Sequence, residues 1–77
     1  MTIGEFINDV LDITNTREQY LTEVCVSSKY YNIVLKRLYI TDVLEKDNYL
    51  IIKLNDGRVQ KLYVSDDFQW KISKADL

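Results

Sequence analysis

YLIIKLNDGRVQKLY, residues 49 to 63, is the stretch whose reading decides the fold. Tyr49 to Leu54 is rich in β-formers, Asn55-Asp56-Gly57 is a turn, and Arg58 to Val64 returns as a second strand. Two registers compete. With Asp56-Gly57 as a two-residue loop, Leu54 faces Val59 and Ile52 faces Lys61. With all three residues in the loop, Leu50 faces Leu62 and Tyr49 faces Tyr63. The second register sets like against like on both faces and is preferred for that reason. It leaves both faces of the hairpin partly apolar. One can be covered by a helix. The other must curl into a small barrel, pair with a second copy, or meet a partner.

Working outward, Ser65-Asp66-Asp67 is a further turn. Phe68 to Ser73 is a last strand, with Phe68, Trp70 and Ile72 alternating inward. On the other side, Glu45-Lys46-Asp47-Asn48 is a polar turn. Residues 32–44 are extended, too long for one straight strand, and expected to bend or break near Lys36-Arg37. Val24-Cys25-Val26 points to a strand over 20–27, with a turn at Ser28-Lys29-Tyr30. A helix over 17–31, capped at Thr16-Arg17-Glu18-Gln19, is the competing reading. Residues 2–13 form an amphipathic helix: Thr2 and Glu5 fit a capping box, and Ile3, Phe6, Ile7, Val10 and Leu11 fall on one stripe. The expected fold is α+β, one domain over 1–77, with strands near 20–27, 32–44, 49–54, 58–64 and 68–73. The N-terminal helix packs on a curled antiparallel sheet of four to five strands, with an SH3-like or split barrel as an open arrangement.

Composition narrows the chemistry. The 77 residues include no proline and only two glycines, which calls for nearly continuous regular structure. There is no histidine, so the commonest general base and the commonest zinc ligand are both missing. The single Cys25 can form no internal disulfide and reads as a small buried apolar residue; with no leader segment at Met1, a cytoplasmic location is expected. The longest apolar run, Tyr49 to Ile52, is far too short to span a membrane. Gly4 and Gly57 build no phosphate loop. The paired acids Asp66-Asp67 and Glu45/Asp47 sit in exposed turns, where nothing tunes them for acid–base work. No enzyme activity, cofactor or metal is expected.

Two constellations remain. Glu5, Asp9 and Asp12 lie at i, i+4 and i+7, so their carboxylates share one helix face. Asp12 near the helix C-terminus opposes the macrodipole by about 0.3 to 1 kcal/mol. Residues 1–28 hold five acids and one base, whereas residues 29–77 hold nine bases and seven acids. The six tyrosines are too many for a small core, so several must be exposed. Tyr30 and Tyr31 are the aromatic candidates for a partner surface. A solvated helix face and ordinary strand tyrosines are the bland explanations of the same residues.

In size, acidity and lack of catalytic residues the chain resembles in type the small inhibitors and regulators carried by phages and other mobile elements, anti-CRISPR proteins among them. That resemblance implies a non-enzymatic protein-binding module that occupies a basic, nucleic-acid-binding surface on a larger protein. The alternative is a single-strand nucleic-acid binder using Lys36, Arg37, Tyr39, Lys53, Lys61 and Tyr63. A net charge of −2 counts against direct nucleic-acid binding. A homodimer formed through the uncovered sheet face is the third reading.

Overall fold

The computed structural model describes residues 2–75. In chain order these form α1 (Ile3–Leu11), α2 (Thr16–Leu21), β1 (Thr22–Ser28), β2 (Tyr31–Lys36), a 3₁₀ turn (Arg37–Tyr39), β3 (Ile40–Glu45), β4 (Tyr49–Leu54), β5 (Val59–Tyr63) and β6 (Gln69–Lys74). The strands make two antiparallel three-stranded sheets, in the orders β2-β1-β6 and β3-β4-β5. The α+β class stands.

The preferred hairpin register is the one formed, with Tyr49 opposite Tyr63 and Leu50 opposite Leu62. The Leu54 amide donates to the Arg58 carbonyl at 2.9 Å and the Gly57 amide to the Leu54 carbonyl at 3.1 Å. Gly57 takes φ +90°, a backbone state that a Cβ would penalise, which is why the turn ends on glycine.

Several expectations are corrected. The single curled sheet of four to five strands is instead two three-stranded sheets, six strands among the described residues, because the 32–44 stretch breaks at the 3₁₀ turn into β2 and β3, which belong to different sheets. The break falls where it was expected, beside Lys36-Arg37. Among the described residues the strands do not close into a barrel: β2 and β6 are the edges of one sheet, β3 and β5 of the other. The 20–27 strand and the 17–31 helix each caught half of what is there. Asn15 Oδ1 caps the Glu18 amide at 3.1 Å, Gln19 Nε2 donates to the Ile13 carbonyl at 2.9 Å, and the short α2 follows. The Thr22 hydroxyl then donates to the Glu18 carbonyl at 2.6 Å, and the β-branched Thr22, Val24 and Val26 carry the chain into β1.

One apolar core joins the helix and both sheets. Phe6 and Val10 come from α1, Val24 and Val26 from β1, Ile40 and Val43 from β3, Leu50 and Ile52 from β4, and Leu62 from β5. Burying each of the larger side chains contributes about 1.5 to 3 kcal/mol. Phe6 meets the Phe68 ring edge-on at 5.8 Å and the Trp70 ring at 5.5 Å, so the inward alternation of β6 docks α1. The Thr2 hydroxyl caps α1 by accepting from the Glu5 amide at 3.2 Å. Cys25 is corrected too: it alternates with the buried Val24 and Val26, so it stands on the outer side of β1, half-buried rather than in the core.

Candidate functional site

The α1 carboxylates come first. Glu5, Asp9 and Asp12 all lie on the exposed side of the helix, and among the described residues none of the three forms an ion pair. The missing basic residue at the helix C-terminus is supplied from elsewhere. Arg37, 5% exposed, donates from Nε to the Val10 carbonyl at 2.6 Å and from Nη1 to the Ile40 carbonyl at 2.7 Å. The guanidinium therefore caps the end of α1 and ties it to the start of β3. Desolvation by burial lowers its pKa, although an arginine this far from neutrality stays charged.

This removes Arg37 from the proposed nucleic-acid face: its cation is spent on two backbone carbonyls inside the fold. The remaining members of that set divide between places. Lys36 lies over the Tyr20 ring at 5.3 Å, on the outer side of the β2-β1-β6 sheet. Tyr39 stands half-exposed on the 3₁₀ turn, where it lines a groove of about 340 Å³ with Leu35, Leu54 and the Asn55–Arg58 turn. Lys53, Lys61 and Tyr63 do come together, on the outer face of β3-β4-β5. There the Lys61 ammonium sits 4.2 Å from the Tyr49 ring centroid and 5.3 Å from that of Tyr63, and the two rings meet edge-on at 6.2 Å. Alternation puts Leu44, Ile51 and Val59 on the same face.

The aromatic pair separates. Tyr30, 67% exposed, stands at the tip of the β1–β2 hairpin with Lys29 Nζ 5.1 Å from its ring. Tyr31 is half-buried, and its hydroxyl donates to the Tyr63 carbonyl at 2.7 Å, which spans the two sheets. Burial raises the Tyr31 pKa above its ordinary value, partly countered by a hydrogen bond with Ser28. Only Tyr30 is free to meet a partner; Tyr31 is a fastening. The hairpin tip is itself held by Asp67. That carboxylate accepts from the Lys29 amide at 2.6 Å and, through its other oxygen, from the Ser65 hydroxyl. The Ser65 hydrogen bond, with help from the Lys29 amide, lowers the Asp67 pKa.

Residue type alone does not single out the Tyr49–Lys61–Tyr63 cluster as a unit. The favoured hairpin register was the available signal, because it sets Tyr49 against Tyr63 with Lys61 two residues away on the same face. Among the described residues no group of three or more cysteine, aspartate or glutamate side chains is arranged to hold a metal ion. No described helix is long and apolar enough to cross a membrane. Compared with models of protein families, with curated proteins and with solved structures, the chain matches none.

Proposed function

We propose that the chain is a non-enzymatic protein-binding module that acts by covering a basic surface on a larger partner. One observation carries the reading. The exposed surface combines a row of carboxylates on α1, free of ion pairs among the described residues, with four tyrosines (Tyr20, Tyr30, Tyr39 and Tyr63) that are each about half exposed or more. Exposed tyrosines supply contact area at low entropic cost, and unpaired acids supply steering toward a basic target. A role as an inhibitor of the kind carried by phages is the biological form we propose for it.

The test is affinity capture from bacterial lysate, with and without nuclease. Wild type is compared with a Glu5→Lys, Asp9→Lys, Asp12→Lys triple variant shown to be folded by circular dichroism. The expected result is one protein retained by wild type, insensitive to nuclease, and reduced at least tenfold with the variant. Equal retention by both would overturn the role of α1. Retention that vanishes with nuclease would favour nucleic-acid binding by the Lys53, Lys61 and Tyr63 face instead.

A further inference from the structure

We infer that the free edge of β5 is a strand-addition site for an extended peptide segment that carries a carboxylate opposite Lys61. This rests on the protein-binding reading and names a partner chemistry for a second surface, away from α1. β5 is the last strand of the β3-β4-β5 sheet, so among the described residues no strand lies beside one side of its backbone. Which groups face that side follows from the ladder. The Arg58 carbonyl accepts from Leu54, and the Val64 amide donates to the Asn48 carbonyl, so both residues turn their polar groups toward β4. In an antiparallel pair that direction alternates, which turns Gln60 and Leu62 inward to β4 and Val59, Lys61 and Tyr63 outward. The Tyr63 carbonyl agrees, since it is the acceptor for the Tyr31 hydroxyl of the other sheet. That contact closes one end of the edge. The amides and carbonyls of Val59 and Lys61, with the Tyr63 amide, form the row an incoming strand would pair with.

Side chains then set the occupant. An antiparallel strand added here places alternate residues directly beside Tyr63, Lys61 and Val59, on the outer face of the sheet. Val59 is 61% and Tyr63 55% exposed, so both leave room for an apolar neighbour. Lys61 lies between them with its ammonium held over two tyrosine rings, which fixes the charge on that face. The fitting segment therefore reads, from its N-terminus, aromatic, any, acid, any, aliphatic. A second β5 in the register centred on Lys61 would set lysine against lysine, and like charges opposite one another oppose pairing. The same residue that recruits an acidic strand thus discourages the protein from pairing with itself.

The probe is the acetylated, amidated pentapeptide Phe-Thr-Glu-Thr-Val, compared with its Lys-centred counterpart and with a form N-methylated at the Glu nitrogen. Binding to the full chain is read by amide chemical shifts and by hydrogen exchange at Val59, Lys61 and Tyr63. The Glu-centred peptide is expected to bind about fivefold or more tightly than the Lys-centred one, the size of a favourable cross-strand pair exchanged for a repulsive one. The N-methylated form should lose most binding, because it cannot bond the Lys61 carbonyl. Lys61→Glu, an exposed substitution, should invert the preference between the two peptides. No binding of the Glu-centred peptide, equal binding of the N-methylated form, or an unchanged preference in Lys61→Glu would each overturn the inference. So would concentration-dependent self-association through β5 in sedimentation. The α1 triple variant should bind the peptide normally, so loss of the lysate partner and loss of peptide binding are independent outcomes.

Discussion

Arg37 shows how a charged residue becomes part of the interior. Its fork reaches the carbonyl of Val10, 27 residues earlier, and that of Ile40, three residues later. Arg37→Ala takes the charged donor away from both buried carbonyls and leaves Val10 only the long 3.4 Å bond from the Ile13 amide, and we expect a loss of about 3 kcal/mol in urea unfolding at pH 7. Arg37→Lys should recover only part of this, because one ammonium cannot span two acceptors as a planar fork does. A substitution at Lys53, exposed on the sheet face, serves as the comparison and should change stability by less than about 0.5 kcal/mol. The burial of Arg37 was not legible in the sequence. Beside Lys36 it looks like one of two surface cations, and the partner that decides otherwise is a backbone carbonyl on a distant helix, which has no side-chain signature. Tyr30 and Tyr31 differ for a similar reason. Adjacent residues at the exit of a turn point different ways, but only the fold shows that the second meets the end of β5.

At the scale of elements, the strongest local signals were read correctly. Thr2 followed by a 3.6-residue stripe gave α1, and the like-with-like pairing of Leu50 with Leu62 gave the hairpin register. The failures lie where the period changes within a few residues. Residues 16–21 are helical and 22–28 extended, so any window across Leu21 mixes two patterns. The β1–β2 turn is another place where distant residues decide. Lys29 and Tyr30 have no positive φ to match the usual two-residue hairpin, and Asp67 supplies a carboxylate to hold the tip. Its folded pKa lies below the ordinary carboxylate range, chiefly through Ser65. The bond's contribution is therefore present above about pH 4 and is lost as the pH falls through the lower folded value. Asp67→Asn should lower the unfolding midpoint at pH 7, and the difference from wild type should shrink as the pH drops below about 4. A difference that stays constant from pH 7 to pH 3 would show that the carboxylate's charge plays no part.

Across the whole molecule, the two candidate surfaces lie outside one shared core. The acids of α1 and the lysine–tyrosine face of β3-β4-β5 stand outside a core to which both elements contribute their inner residues. The candidate surfaces were legible as residue types, but their grouping was not: of the six candidate cations and aromatics, Lys53, Lys61 and Tyr63 share one sheet face, whereas Lys36, Arg37 and Tyr39 lie elsewhere. The pairing of β1 with β6 carries a consequence for the order of assembly. β3, β4 and β5 are joined by short hairpins between neighbours, whereas β1 meets β6 with Thr22 beside Lys74. Closing so long a loop costs entropy that only the finished pairing repays, so such contacts form late. Refolding should therefore begin in the meander and end with the last strand. In a pulsed hydrogen-exchange experiment the Ile52 and Leu62 amides should gain protection before those of β6 and its partners in β1. The last strand also brings Phe68 and Trp70 to Phe6, so until it docks, α1 lacks the aromatic surface that seats it. Stability of the N-terminal helix is in this sense granted by the final residues to arrive.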